Sequence, residues 1–319
     1  MTTRSDRKPL SWQATLALKT FIGLCGLLLV TYTALNFFPG LSILLFASKV
    51  KLSPYCTVWG GVRDAHVKLE QGELQRKLRA QSRVIRTEAG YKLWSTARGE
   101  FWVPDTSDDI LDILLAEQGR SIYGDATHGG VKEGDIVLDC GAHIGTYVMT
   151  ALDARAEKVV AIEPSPEALW CLRRNYGKYE PSGKVVIYPK GVWDEEKTLV
   201  FFANGNGAAG DSFVTAANNA RKIGEVPVTT IDKIVKELGL TRVDVIKADI
   251  KGAGARMITG ASDTIRRFHP RIIISTEEAP EDPAAIHDLV LSLSPSYQFR
   301  PGPCLFTGDE IRNDTIFFQ

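Results

Sequence analysis

Two acids and two glycines occur in the chain at a spacing that suits the binding of a nucleotide. Asp139 follows a short apolar run, and Gly141 and Gly145 complete the pattern D-x-G-x-x-x-G. Glu163 follows a second apolar run, 18 residues after Gly145. Glycine permits a tight turn and the close approach of a ligand to the backbone, and an acid at this distance accepts hydrogen bonds from ribose hydroxyls. The pattern therefore predicts a site for a ribose-bearing ligand.

The residues around the glycine turn distinguish between two ribose-bearing cofactors. In NAD sites the first strand leads directly into G-x-G-x-x-G, and the pyrophosphate binds at the helix N-terminus. Here Asp139 stands at the strand end, and His143 replaces the middle glycine. A carboxylate at that position would repel a pyrophosphate, whereas it suits the cationic methionine end of S-adenosylmethionine (SAM). Both departures favour SAM over NAD.

The chain resembles the FkbM-like methyltransferases in the motifs VLDCGAHIGTY, AIEPSP and TTIDKIVKELGLTRVDVIKADIKGAGARMITGA, over about residues 91–319. The resemblance implies a Rossmann-like class I methyltransferase that uses SAM to methylate hydroxyl groups on sugars, polyketides and similar metabolites. The partner would be a small-molecule or glycan methyl acceptor. Together with the glycine pattern, the resemblance implies cofactor contacts at Asp139, Gly141, His143, Gly145, Thr146, Glu163, Pro164, Gly191 and Val192.

The third motif supplies the candidates for catalysis. It keeps Lys247, Asp249 and Gly252 of the family pattern K-x-D-x-E-G-x-E, but it has Lys251 and Gly254 where the family usually has acids. Asp249 is the first candidate to act beside the acceptor, as a base or an orienting group, and Lys247 is the second. Lys251 and His128 are weaker candidates, and a surface or structural role is the simpler interpretation for Lys247, Lys251 and His128 alike.

Three functions stay open at this stage. The first is an O-methyltransferase that acts on a sugar, a glycan or a lipid-linked metabolite. The second is a catalytically impaired SAM-binding or scaffold protein, which the charge change at Lys251 and Gly254 suggests. The third is a NAD-linked oxidoreductase, which Asp139 and His143 disfavour.

These residues need a sheet that brings several strand ends together. Short apolar runs alternate with helical segments, which predicts a doubly wound α/β fold with a mostly parallel, seven-stranded sheet. Ligands bind outside the carboxyl ends of the strands in such sheets, where Asp139, Glu163 and Asp249 stand. The predicted strands are residues 136–138, 159–162, 185–188, 243–249, 271–275, 297–300 and 315–318, of which the last two form an antiparallel pair.

Other segments are predicted from periodicity and turn residues. Residues 64–86 predict a helix packed on the domain, with a short coiled-coil stalk as the alternative. Residues 91–104 predict a hairpin, and residues 108–119 predict a helix. Residues 199–203 and 213–216 flank two Asn-Gly steps, which predicts a second hairpin or a flap over the site.

The N-terminal region has the composition of a membrane anchor. Residues 20–48 carry no charge, and their most apolar part, residues 21–38, is long enough for a transmembrane helix. The basic residues that precede the run predict a cytoplasmic N-terminus. Those that follow it, together with a Pro-Gly step, favour a re-entrant insertion with a cytoplasmic catalytic domain. A cleaved signal peptide is the alternative, which the lack of a small-x-small cleavage site disfavours. The predicted domains are a tail and anchor, a helical linker with a hairpin, and the methyltransferase domain, at residues 1–50, 51–120 and 121–319.

Composition excludes several other classes. The formal net charge is zero, so nothing indicates nucleic-acid binding. The five cysteines are scattered and form no C-x-x-C pair, and the histidines have no metal-ligand spacing. The sequence therefore predicts no metal site and no disulfide framework, but buried free thiols in a reducing compartment. Nothing in the sequence indicates an oligomeric state.

Overall fold

The structure is a computed structural model that describes residues 50–107, 110–203, 213, 221–277 and 282–319. The chain divides into a unit of residues Met1–Lys51 and a compact unit of residues Leu52–Gln319. The predicted anchor at residues 21–38 lies outside the described residues. Among the helices that the structure does describe, none is long and apolar enough to cross a membrane.

The described elements are numbered along the chain. The helices are α1 Val58–Ala80, α2 Ile110–Gly119, α3 Thr146–Asp153, α4 Pro166–Tyr176, α5 Ile231–Glu237, α6 Gly254–Thr259, α7 Ser262–Phe268 and α8 Pro283–Leu293. The strands are β1 Lys51–Leu52, β2 Arg83–Glu88, β3 Tyr91–Thr96, β4 Gly99–Pro104, β5 Ile136–Cys140, β6 Lys158–Ile162, β7 Val185–Tyr188, β8 Gly191–Val192, β9 Lys197–Ala203, β10 Arg221–Thr229, β11 Val245–Ala248, β12 Arg271–Ser275, β13 Phe299–Pro301, β14 Cys304–Thr307, β15 Glu310–Asn313 and β16 Thr315–Phe318.

The main sheet has seven strands in the order β13-β16-β12-β11-β5-β6-β7. Strands β12, β11, β5, β6 and β7 are mutually parallel, and β16 lies antiparallel to both β12 and β13. The predicted mostly parallel, seven-stranded α/β sheet with a final antiparallel pair is therefore confirmed. From β5 the chain adds β6 and β7 on one side of the sheet and then β11 and β12 on the other, so the topological switch point lies between β5 and β11. A ligand is expected in the crevice outside the carboxyl ends of these two strands.

Both faces of this sheet are buried, as the continuous apolar runs require. Alternate residues of each strand enter opposite clusters, because successive side chains of a strand point to opposite faces. One cluster joins the strands to helices α2, α3 and α4 through Val137, Val159, Leu115, Val148 and Leu172. The other joins them to helices α5, α6 and α8 through Leu138, Val160, Ile231, Met257 and Ile286. Each fully buried side chain of this size contributes roughly 1.5–3 kcal/mol.

Helix α1 lies six residues earlier than the sequence predicts at both ends. Its first turn is capped by Thr57, whose hydroxyl accepts a hydrogen bond of 2.9 Å from the backbone N–H of Gly60. It packs against β14 and β15, where a Cβ on Gly61 would lie 2.9 Å from the side chain of Ile311. The helix is thus packed on the domain, as the first of the two alternatives predicts.

The prediction missed strands β2 and β10, as well as the short strands β1, β8, β14 and β15. Strand β2, within the predicted helix of residues 64–86, instead pairs with β3 and extends the correctly predicted β3–β4 hairpin. Strand β9, which contains the predicted residues 199–203, pairs along its length with β10, which was not predicted. The predicted partner of β9, residues 213–216, lies outside the described residues except for Phe213. Backbone pairing with a neighbouring strand overrides a local periodicity that favours a helix.

One disulfide joins two regions that are far apart in the sequence. Cys56 and Cys304 are bonded, with their Cα atoms 5.7 Å apart and a sequence separation of 248. The prediction of free thiols is therefore wrong for this pair, because folding brings α1 against β14, which no local spacing reveals. It holds for Cys140 and Cys171, which are free and buried.

The disulfide should contribute measurably to stability. A long closed loop restricts the unfolded chain, so the variant Cys56→Ser/Cys304→Ser is expected to lose about 2–5 kcal/mol of unfolding free energy. Urea unfolding with and without dithiothreitol measures the loss. Reduction should bring the wild-type protein to the level of the variant and should leave the variant itself unchanged. Equal midpoints for oxidised and reduced wild-type protein would contradict the pairing.

Candidate functional site

The predicted site residues meet at one edge of the main sheet. Strands β5, β6 and β11 are in parallel register there, so that Asp139 lies beside Ala161 on one side and Lys247 on the other. Glu163 follows β6 directly, and Asp249 follows β11 directly. The sheet therefore brings together acids that are separated by more than a hundred residues in sequence.

The glycine loop between β5 and α3 has the tight backbone that the sequence predicts. Gly141, His143 and Gly145 have φ angles of 76°, 50° and 93°. A Cβ on Gly141 would lie 2.2 Å from the backbone oxygen of Asp249, and one on Gly145 would lie 2.2 Å from the ring of Tyr176. Glycine is therefore needed at both positions because neighbouring parts of the protein approach closely. Thr146, a predicted cofactor contact, is the buried first residue of α3.

Glu163 holds this loop in place. Its carboxylate accepts hydrogen bonds of 2.8 Å from the backbone N–H groups of His143 and Ser165, one on each oxygen. The acceptance of hydrogen bonds from ribose hydroxyls by Glu163 stays a prediction. Pro164, another predicted contact, lies partly buried between Glu163 and Ser165.

Asp139 forms a buried ion pair with Lys247. The ammonium of Lys247 lies 3.0 Å from Oδ1 of Asp139 and also donates to the backbone oxygen of Gly141 at 3.1 Å. Both side chains are buried, with 4% of Lys247 and none of Asp139 exposed. The idea that Asp139 stands available for the cationic end of SAM therefore needs revision, since one of its oxygens is already paired.

The charge on Lys247 is maintained by two carboxylates. Burial lowers the pKa of Lys247, but the nearby charges of Asp139 and Asp249 raise it by more, so the net direction is upward. Its ammonium also lies 5.0 Å from the ring centre of Tyr123 and 5.5 Å from that of Tyr147, which adds cation–π attraction. Lys247 is thus a charged, internal group between β5 and β11.

Several buried polar atoms beside the glycine loop have no hydrogen-bond partner within the described ranges. They are Oδ2 of Asp139, both ring nitrogens of His143 and the hydroxyl of Tyr147. Burial lowers the pKa of His143 to about 4, so its ring is neutral at pH 7. Unsatisfied buried polar atoms cost roughly 1–3 kcal/mol each, so their grouping fits a polar ligand that binds here.

Asp249 is the acid of this group that opens onto a cleft. It accepts a hydrogen bond of 3.0 Å from the hydroxyl of Tyr123. Burial raises the pKa of Asp249, but the ammonium groups of Lys247 and Lys251 lower it by more, so the carboxylate is ionised at neutral pH. The structure therefore presents an oriented negative charge at the end of β11.

The cleft beside Asp249 is built largely from residues that the sequence did not single out. Glu117 and Tyr123 come from α2 and the loop after it, and Glu277 follows β12 and forms an ion pair with Lys68 of α1. No local motif marks Glu117, Tyr123 or Glu277, because only tertiary packing brings them to Asp249. The lining residues are Glu117, Ile122, Tyr123, Asp249, Lys251, Ser275 and Glu277.

The remaining predicted residues have other environments. Gly191 and Val192 form strand β8, which pairs with the end of β10, and a Cβ on Gly191 would lie 2.5 Å from the ring of Phe213. Their predicted contact with adenine stays a prediction. Gly254 begins α6 and is buried. His128 is exposed, with Nδ1 3.0 Å from the carboxylate of Asp125, and it does not line the cleft.

A comparison with protein families finds one match. The family model described as the methyltransferase FkbM domain matches residues 139–301, about half of the chain, and this span contains the glycine loop, Glu163, Lys247 and Asp249. Among curated protein sequences, none matches the chain.

Solved structures also show similarity. Methyltransferase FkbM from Methylobacillus flagellatus KT is 15% identical, with 81% of this chain and 60% of that chain covered and a TM-score of 0.46. The chain thus spans 60% of the length of that relative. M. jannaschii TYW2, solved in complex with AdoMet, is 10% identical over 74% of this chain and 88% of that chain, with a TM-score of 0.41. Aeropyrum pernix fibrillarin, solved with natively bound S-adenosyl-L-methionine, is 12% identical over 74% of this chain and 98% of that chain, with a TM-score of 0.35.

The buried pair of Asp139 and Lys247 should be sensitive to removal of one partner. Lys247→Ala leaves a carboxylate buried beside Asp249 without its cation, so we expect a loss of about 3–5 kcal/mol of unfolding free energy. Urea unfolding measures it, and Lys236→Ala, at an exposed position of α5, is the matched control. The variant Asp139→Asn/Lys247→Met should recover part of the loss. A Lys247→Ala protein as stable as the control would contradict the arrangement.

Glu117 should make stability depend on pH. Burial, with the charges of Asp249 and Glu277, raises its pKa from 4.5 to about 8 in the folded protein. The folded state therefore binds more protons than the unfolded state between these values, and stability falls as pH rises, by up to about 1.4 kcal/mol per pH unit. Unfolding midpoints at pH 5.5 and pH 8 should differ less for Glu117→Gln than for wild type. Glu133→Gln, at an exposed acid, should match wild type, and parallel pH curves for all three proteins would refute the expected shift.

Proposed function

We propose that this chain, which belongs to the methyltransferase FkbM domain family, transfers a methyl group from SAM to a hydroxyl oxygen of a sugar, a glycan or a lipid-linked metabolite. The observation that carries the proposal is the position of Asp249. This ionised, oriented carboxylate opens onto a cleft at the same sheet edge as the glycine loop and Glu163.

The residues at the sheet edge fit the proposed cofactor. The unsatisfied polar atoms of Asp139, His143 and Tyr147 lie beside a glycine loop at the N-terminus of α3, and Glu163 holds the same loop through the backbone N–H of His143. Residues 141–146, Glu163 and Pro164 would hold SAM, with Gly191 and Val192 on the adenine side. SAM, when bound, supplies an activated methyl group on a sulfonium centre.

The acidic cleft would receive the acceptor. Asp249 accepts a hydrogen bond from the acceptor hydroxyl and takes its proton, and the hydroxyl of Tyr123 fixes the orientation of that carboxylate. Glu117, which is largely protonated at neutral pH, can donate a hydrogen bond to an acceptor oxygen. Lys247 acts through others, because it holds Asp139 and the carbonyl of Gly141 and lowers the pKa of Asp249.

Lys251 supports a second candidate function. It lines the cleft at a position where the resemblance implies an acid, and it also lowers the pKa of Asp249, which makes that carboxylate a weaker base. A protein with this change could bind SAM without turning it over. We rank this function second because Asp249 itself is present and ionised.

Calorimetry and methyl transfer with the full chain test the proposal. SAM and S-adenosylhomocysteine should bind, and NAD should not. Glu163→Gln should weaken SAM binding by about tenfold or more, because it removes charge from hydrogen bonds to the loop and to ribose. Asp249→Asn should keep the SAM affinity within about twofold but lose roughly a hundredfold or more in transfer of radiolabelled methyl to a panel of glycosides and lipid-linked saccharides.

The control and the contrary outcomes are distinct. Asp263→Asn, at an exposed acid of α7, should match wild type in both measurements. SAM binding without transfer to any acceptor would favour the second function. Binding of NAD alone would overturn the choice of cofactor, and full transfer activity in Asp249→Asn would overturn the role of Asp249.

A further inference from the structure

One face of helix α1 exposes large apolar side chains. Trp59 is 75% exposed, Leu69 is 71% exposed and Val62 is 48% exposed. At 100° per residue, positions 59, 62 and 69 fall within an arc of about 80°, over roughly 15 Å of helix. They therefore lie on one face of the helix, which we call the Trp59 stripe and which also carries the exposed side chain of His66 between Val62 and Leu69.

The fold does not need the Trp59 stripe. The buried residues of α1 are Gly60, Gly61, Asp64 and Leu78, which face the rest of the domain. Asp64, for example, accepts a hydrogen bond of 2.9 Å from the backbone N–H of Cys304. A surface helix normally presents polar side chains to water, and a grouped set of exposed apolar side chains marks an interaction site.

The neighbouring sequence indicates what covers the stripe. Residues 20–48 carry no charge, and this apolar run ends shortly before Leu52 and Tyr55, which are 46% and 41% exposed. Trp and Tyr are enriched where a protein meets the headgroup region of a bilayer. We infer that the Trp59 stripe lies on the surface of a lipid bilayer.

This docking would set the distance from the bilayer to the cleft. Lys68 lies about 180° around α1 from Trp59, and it forms an ion pair with Glu277, which lines the cleft. The cleft is therefore about one helix diameter, roughly 10–12 Å, from the stripe. If the proposed function holds, the acceptor hydroxyl is carried by a molecule in or just above the headgroup layer.

Tryptophan quenching in the full chain tests the docking without SAM or acceptor, so its result is separate from that of the methyl-transfer assay. The protein is reconstituted in phosphatidylcholine–phosphatidylglycerol vesicles, and the emission of Trp59 is obtained as wild type minus Trp59→Phe. Lipids brominated near the headgroups should quench this emission at least about twofold, and aqueous iodide should have little effect. Val62→Asp/Leu69→Asp should lose at least half of the quenching.

The buried Trp94 of β3 is the matched control, and its emission, obtained with Trp94→Phe, should not respond to brominated lipid. Quenching of Trp59 by iodide but not by brominated lipid would overturn the inference, because the stripe would then face water. Protection of Trp59 from both quenchers would also overturn it, since residues 1–49 or a second copy would then cover the stripe. Failure of the full chain to bind vesicles would have the same consequence.

Discussion

The ion pair between Lys247 and Asp139 is the interaction on which the site depends. It connects β5 and β11, the two strands at the topological switch point of the sheet. Lys247 also donates a hydrogen bond to the backbone oxygen of Gly141, which fixes the start of the glycine loop. Two charges in a dry interior are costly to bury, and each is tolerated only because the other is present. The same ammonium lowers the pKa of Asp249, so one cation arranges the loop on one side and the ionised acid on the other.

The sequence allowed the main sheet to be predicted well because its strands are buried on both faces. Val185–Tyr188, Arg271–Ser275 and Thr315–Phe318 have the predicted bounds, since continuous apolar runs with turn residues at each end leave few alternatives. The lead-in region was predicted less well. Strand β2 alternates weakly and is exposed along its length, so its partner β3 determines its conformation more than its own residues do.

The site divides in the same way. Gly141, Gly145, Glu163 and Asp249 could be found from sequence, because a local motif fixes their spacing and the sheet topology brings the strand ends together. The internal role of Lys247 could not be found, because the pairing of β5 with β11 decides which acid it meets. Glu117 reaches the cleft only through the packing of α2. The packing of α1 likewise brings Lys68 to Glu277 and permits the bond between Cys56 and Cys304.

That bond also determines how the domain carries mechanical load. A force applied to the chain N-terminal to residue 50 reaches Cys56 before it reaches α1. The disulfide then transmits this force directly to the β14–β15 hairpin. Residues 57–303, which include the glycine loop and Asp249, lie inside the covalent ring and are relieved of that tension. Helix α1 cannot be peeled from the domain by such a pull unless a covalent bond breaks or the hairpin opens. The glycine loop and Asp249 are thus shielded from strain applied through the N-terminal segment.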